Sequence, residues 1–151
     1  MMYLHNAPSD CTGTNTFFGQ SSGSSNTTGD FNSFFGQNSG SSNTTARANS
    51  FFGSNAGANN TTGNSNVFFG VDAGRLNTTG ASNVFLGFTS GTSHTTGFNN
   101  VVVGRSAGFN LTTGSNNVII GRGAGPTSAN ASVSNKPVSY THLTLPTILL
   151  V

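Results

Sequence analysis

Apolar residues in this chain arrive in short bursts at a fixed interval. Phe-Phe stands before Gly19, Gly36, Gly53 and Gly70, and a related apolar pair stands before Gly87, Gly104 and Gly121. Each step is 17 residues, held through seven occurrences without insertion or deletion. A second glycine follows four residues on, from Gly23 to Gly125, and Thr-Thr recurs in the same frame from Thr27-Thr28 to Thr112-Thr113. Helix-turn-helix repeats need about 34 residues, twice this frame. The pattern instead predicts one coil of a β-solenoid per repeat: a strand of four or five residues, a Gly turn, a second short strand, another turn. Glycine suits those turns because it takes positive φ without steric cost. Identical residues would stack about 4.8 Å apart, so seven coils give a rod of roughly 34 Å.

Each column of such a stack can be read on its own. Asn15, Asn32, Asn49, Asn66, Asn83, Asn100 and Asn117 precede the apolar burst and predict an amide ladder running from coil to coil. The next column changes from Thr16, Ser33 and Ser50 to Val67, Val84, Val101 and Val118. Then come Phe17, Phe34, Phe51, Phe68, Phe85, Val102 and Ile119, and beside them Phe18, Phe35, Phe52, Phe69, Leu86, Val103 and Ile120. Neighbouring strand residues point to opposite faces. If one column fills the inside, the other points outward as an apolar stripe larger than soluble monomers normally expose. A second copy of the rod is the simplest cover, so the pattern predicts a homo-oligomer. The alternative is one wide coil that tucks both columns away at a bend.

Composition sharpens this picture. Of 151 residues, Gly, Asn, Ser and Thr supply 21 each, and only 5% of the chain is charged, against about 25% in ordinary globular domains. Such residues are poor helix formers. A chain this rich in Gly, Ser and Asn reads as disordered unless its aromatics are ordered. Nine of the 13 Phe fall in the two columns, and disorder loses. A net charge of +2, with Arg47, Arg75, Arg105 and Arg122 spread along the sequence, is too little for a nucleic-acid footprint. Lone Cys11 excludes an internal disulfide framework and a Cys-based zinc site. No apolar run is long enough to span a membrane as a helix. The N-terminal residues also lack the regions of a signal peptide.

Segments such as SNVFLGFTSGTSHTTGFNNVVVGRSAG resemble the head repeats of trimeric autotransporter adhesins, the YadA-like head. They are still more similar to 17-residue variants in bacterial surface fibres and phage-type tail fibres. The apolar strand before Gly87, Gly104 and Gly121 is similar to that family's S-V-A-I-G motif. The resemblance covers about Asn15 to Gly125 and implies a left-handed parallel β-roll with three chains packed around a threefold axis. Two departures stand out. The family repeat is usually nearer 14 residues, and here Phe-Phe replaces a small-plus-aliphatic pair. The neck, coiled-coil stalk and anchor or chaperone domain that complete such fibres do not occur in the sequence.

The repeat fails after Gly125. From Pro137 to Thr147 the chain reads PVSYTHLTLPT, which looks like a translation of the transposase adaptor used in shotgun sequencing libraries. Three arbitrary index codons (Ile148, Leu149, Leu150) and a final Val151 would complete that match. The expected division is 1–12 as an irregular cap or truncated repeat and 13–125 as the β-roll. Residues 126–136 form an irregular end, and 137–151 are adaptor translation and not native. Different codons across this stretch would end the adaptor reading.

No catalytic constellation emerges. His5, His94 and His142 lie far apart, and His94 takes the column of Asn26, Asn43, Asn60 and Asn77, which reads as a surface substitution. Asp10, Asp30 and Asp72 form no pair suited to acid-base work. Cys11 has no cationic neighbour and reads as a free thiol at a frayed end. GRGAG lacks the Lys-Ser/Thr of a phosphate loop. The sequons at Asn26, Asn43, Asn60 and Asn77 are by-products of the repeat.

The expectation is therefore an all-β, single-domain, parallel left-handed β-roll of seven coils, assembled as a trimer. It would be the structural and adhesive head segment of an extracellular surface or virion fibre, without catalysis, cofactor or metal. Its partners would be its own copies and a receptor or glycan on a host surface. Ligand contacts should come from residues that vary between coils: Phe88, Arg105 and Arg122 in the column after the first Gly (which starts Gln20, Gln37, Ser54, Val71), and Arg75, Phe98 and Phe109 in turns. Thr-Thr raises one rival, an ice-binding face. Adjacent threonines point to opposite faces, however, and expose only a single column.

Overall fold

A computed structural model describes residues 15–126, Ser134 and the backbone of Leu4–His5 and Pro137–Ser139. The chain is a parallel β-solenoid with a 17-residue coil. Coil 1 is 15–31, coil 2 is 32–48, and so on at the same interval to coil 7, which opens at Asn117. Each coil contributes one three-residue strand: β2 (Thr16–Phe18), β3 (Ser33–Phe35), β4 (Ser50–Phe52), β5 (Val67–Phe69), β6 (Val84–Leu86), β7 (Val101–Val103) and β8 (Val118–Ile120). These pair in parallel and in perfect 17-residue register, so Phe17 faces Phe34 and Val102 faces Ile119. At one end β1 (Leu4–His5) lies antiparallel to β2, within the segment expected to be irregular. At the other end β9 (Pro137–Ser139) pairs in parallel with β8. Strand pairing uses backbone groups alone and does not bear on the adaptor reading. Asp10, Cys11, His142 and the adaptor-like residues from Tyr140 onward lie outside the described residues.

The expected second strand in each coil is not formed. Among the described residues the rest of each coil is turn, yet it is still tied to the next coil by backbone hydrogen bonds. The Gly40 N–H donates to the Ala56 carbonyl at 3.0 Å, Ser42 to Ala58 at 3.0 Å, and Thr44 to Thr61 at 3.1 Å. These bonds come from single residues separated by turns, so no run long enough to be a strand develops. In coils 1 to 6 two positions sit in the left-handed region without being glycine, Ser21 (φ 57) and Phe31 (φ 61) in coil 1 and their equivalents above. The glycines do a different job. A Cβ on Gly74 (φ +58) would meet the Phe68 ring at 2.5 Å, so this column is glycine because the ring lies against its backbone.

Inside, one column carries the core. Phe17, Phe34, Phe51, Phe68, Phe85, Val102 and Ile119 are buried, joined by Ala56, Ala73, Ala107, Leu111 and Ala124. Successive inner rings stack with centroids 4.8 to 4.9 Å apart and interplanar angles of 11° or less. That distance is the coil-to-coil spacing of a β ladder and falls in the offset-stacked range.

The amide ladder forms, and it is double. In the first column the backbone N–H of Asn49 donates to Oδ1 of Asn32 at 3.0 Å, while its Nδ2 crosses its own coil to the Gly63 carbonyl at 2.9 Å. The second column is Asn26, Asn43, Asn60 and Asn77. Asn60 Nδ2 donates down the stack to Asn43 Oδ1 at 3.2 Å and within its coil to the same Gly63 carbonyl at 3.0 Å. In coils 1 to 4 one carbonyl thus receives both amide columns, and buried amides that would cost free energy if unpaired become the rod's polar spine.

Candidate functional site

Outward-facing residues are where this rod can meet anything else, and three outward columns flank each strand. They are the residue before the inner one, the residue after it, and the residue beyond the first glycine. Read across, coils 1–3 present Thr16-Phe18-Gln20, Ser33-Phe35-Gln37 and Ser50-Phe52-Ser54. Coils 4 and 5 are apolar across the full width, with Val67-Phe69-Val71 and Val84-Leu86-Phe88. Coils 6 and 7 keep two apolar columns and close with arginine, Val101-Val103-Arg105 and Val118-Ile120-Arg122.

The burial pattern is that of alternating faces. Phe68 is 0% exposed, whereas its neighbour Phe69 is 58% exposed and Ile120 is 46% exposed. The wide-coil alternative, with both columns tucked inside, is not what the chain adopts. Outer rings stack too, but less evenly. Phe35 and Phe52 lie 4.8 Å apart at 5°, while Phe18 and Phe35 splay to 6.2 Å and 29°.

The structure brings together three of the six residues singled out from the sequence. Phe88, Arg105 and Arg122 follow one another up a single column on coils 5 to 7, and the Arg105 guanidinium carbon lies 5.7 Å from the Phe88 ring centroid. Arg75 and Phe109 share a different column two coils apart, and Arg75 Nε lies 3.8 Å from Asp72. Phe98 stands apart from both, in the column of Asp30 and Arg47, whose ion pair is 2.9 Å. Phe88, Phe98 and Phe109 are each half exposed.

His94 is not a surface substitution. It is fully buried, seated edge-on to Phe85 with ring centroids 5.2 Å apart, because its column turns inward against the aromatic stack. Nδ1 lies 3.2 Å from Asn77 Oδ1, and the Asn77 amide nitrogen is already donating to Asn60 and Gly80. That oxygen can only accept, so Nδ1 carries the proton of the neutral ring. Burial lowers the His94 pKa from 6.5 to about 4, partly opposed by the Gly114 carbonyl that a protonated Nε2 would meet. Sequence reasoning found this column but not its direction. The usable signal was that its asparagines stand three residues before the tightly packed Gly29 column.

The Thr pairs divide between backbone and solvent, although they lie in a bend and not in a strand. Hydroxyls of Thr44, Thr61 and Thr78 each donate to the threonine carbonyl of the next coil at 3.1 Å. Their partners Thr45, Thr62 and Thr79 are exposed. Among the described residues no three His, Cys, Asp or Glu side chains gather where they could hold a metal ion. No protein-family model matches the chain, and no curated protein and no solved structure matches it either.

Proposed function

We propose that the chain is the rod-like head segment of an extracellular fibre, on a cell surface or a virion, whose rods pack side by side and present variable side chains to a receptor. The coil is taken as left-handed and the assembly as a trimer, as in the YadA-like heads and tail fibres that the repeats resemble. The observation that supports this most is the outward column from Phe18 to Ile120. It is a stripe of aromatic and aliphatic side chains on a chain whose commonest residues are Gly, Asn, Ser and Thr. Water contact along such a stripe is costly, at roughly 25 cal/mol per Å² of apolar surface. Identical rods offer each other identical columns in the same register. The reading assigns no catalytic step, cofactor or metal to the chain.

Sedimentation equilibrium of the full chain tests it, with a mass of three chains expected and a clean monomer overturning it. Replacing outward Phe52 and Phe69 together by Ser should lower the assembly's stability while leaving the circular dichroism of the coil unchanged. Neither ring belongs to the buried cluster.

The exposed threonine column favours a second reading, an ice-binding face. Thr28, Thr45, Thr62, Thr79, Thr96 and Thr113 all point to solvent at the coil spacing. Against it, the neighbouring threonine hydroxyls spend their protons on the backbone. Inhibition of ice recrystallisation would favour this reading over the fibre.

A further inference from the structure

We propose that Arg105, Arg122 and Phe88 form a binding site for an acidic sugar, a pyranose carrying a carboxylate or a sulfate. The site rests on the reading of the rod as a displayed, receptor-contacting fibre, and it names the ligand class for that fibre.

Charge pairing separates these arginines from the others. Arg47 is held by Asp30 and Arg75 lies beside Asp72. Arg105 and Arg122 have no carboxylate in ion-pair range among the described residues. They occupy one column on successive coils, fixed there by the pairing of Val103 with Ile120 and by the Gly123 N–H, which donates to the Arg105 carbonyl at 2.9 Å. Backbones in this register run about 4.8 Å apart, so two cations share one patch. At such separations like charges cost about 1 kcal/mol even in water. A single anion between them relieves that repulsion, and the guanidinium fork matches a carboxylate or sulfate with two parallel hydrogen bonds.

Phe88 supplies the second half of the chemistry. Its ring is half exposed, and its cation–π contact orients the Arg105 fork. The remaining ring surface suits the C–H face of a pyranose. Just past these residues, the hydroxyls of Thr89 and Ser106 lie 3.0 Å apart and give a sugar hydroxyl group a neighbouring partner. The same column in coils 1 to 4 holds Gln20, Gln37, Ser54 and Val71, without charge, so the site belongs to one end of the rod.

Other ligands fit less well. Every strand from β2 to β8 is paired on both edges, so an extended peptide finds no free edge on the side of the rod. Nucleic acid binding draws on many more phosphate contacts than two arginines can make.

Calorimetry with the full chain tests the site, using sialyllactose, sulfated lactose, neutral lactose, sodium sulfate and a Glu-rich peptide as probes. At least one acidic sugar should bind and lactose should not. Arg105→Gln and Arg122→Gln should each weaken binding about tenfold, the value of one charged hydrogen-bonding partner. Phe88→Ser should weaken the sugar more than inorganic sulfate, which loses only the orientation of the Arg105 fork. The proposal is overturned if neither acidic sugar binds, or if lactose binds as well as they do. Sulfate binding as tightly as sulfated lactose, or the peptide outcompeting both sugars, also overturns it. Sedimentation of the same samples separates the two readings. An assembled rod that ignores acidic sugars removes the site alone, and a monomer that binds them keeps the site and removes the fibre.

Discussion

Coils 1–4 and coils 6–7 share one backbone frame and fill it differently, with coil 5, where Phe85 packs against His94, as the boundary. In coil 3 the interior is Phe51, Ala56 and Asn60, an aromatic ring beside an amide; in coil 6 it is Val102, Ala107 and Leu111, wholly aliphatic. What the change from Phe to Val removes in one column, the change from Asn to Leu restores in the other. Volume-conserving exchange of this kind is what close-packed interiors tolerate best. Backbone bonds do not register the exchange. Gly70 donates to the Phe52 carbonyl at 2.8 Å in the aromatic half, and Gly121 donates to Val103 at 2.8 Å in the aliphatic half. The first Asn column also runs through both halves, with Asn117 Nδ2 reaching Asn100 Oδ1 at 2.9 Å. Frame and filling are separate: ladder and first amide column hold the coil, and the inner pair decides how tightly each level is occupied.

The largest expected effect breaks that comparison open at the glycines that back the inner column. Gly74 and Gly108 have nearly the same φ, +58° and +61°. An added Cβ meets the Phe68 ring at 2.5 Å in the first case and only a Val102 methyl at 3.0 Å in the second. Both substitutions to Ala bear the left-handed penalty of about 1–2 kcal/mol. Gly74→Ala must also displace a ring locked between two others, an overpacking cost of about 1–3 kcal/mol. Urea unfolding should therefore show Gly74→Ala losing about 4 kcal/mol and Gly108→Ala about half of that. Equal losses would mean that the aromatic half is no more tightly filled than the aliphatic half.

Next in size is the boundary itself, at His94. The ring sits where the amide column ends, and its polar neighbours, Asn77, Asn100 and Gly114, offer no titratable group. Its folded pKa is about 4 against 6.5 in the unfolded chain, so between those values the unfolded state binds more protons. Stability is then complete above about pH 6.5, falls as pH drops toward about 4, and levels off below, a loss on the order of 3 kcal/mol. His94→Asn, which extends the amide column of coils 1–4 by one level, should remove this slope. Unfolding midpoints of both proteins across that range check it. A slope surviving in the Asn variant would place the acid sensitivity elsewhere.

Much of this architecture was legible because a strict repeat turns a sequence into columns. The 17-residue frame, the inner and outer Phe columns and the Asn15 ladder all follow from period and strand alternation. The turns did not follow. Ala48 (φ 56) and Phe31 (φ 61) occupy left-handed positions that sequence rules reserve for glycine, because coil-to-coil bonding over-determines the backbone there. The Ala48 N–H donates to the Asp30 carbonyl at 3.0 Å. For the same reason His94 was misread as outward: alternation works along a strand and says nothing about which way a turn residue points. Of the candidate contacts, the Phe88–Arg105–Arg122 cluster is visible from the frame, since they lie one coil apart. The separation of Phe98 from them depends on the path of the turns.

The smallest effect concerns the small inward column, where the serine of boundary coil 5 lacks the hydrogen bond that the serines of coils 1 and 2 make. Ser39 and Ser90 hold equivalent places and both are buried. The Ser39 hydroxyl donates to the Phe51 carbonyl of the next coil at 3.2 Å, whereas the Ser90 hydroxyl has no partner. Coil 1 carries Ser22 here, and coils 3, 4, 6 and 7 carry Ala56, Ala73, Ala107 and Ala124, so the site accepts a methyl group without rearrangement. A buried hydroxyl without a partner costs about 1–3 kcal/mol, and a weak satisfied one contributes about 0.5–1.5 kcal/mol. Ser90→Ala should thus raise the unfolding free energy by about 1 kcal/mol and Ser39→Ala should lower it by about the same. Both substitutions remove the same atom from the same column. A difference of opposite sign in urea midpoints therefore isolates the hydrogen bond itself, and a common sign would show that column packing governs the position in both coils.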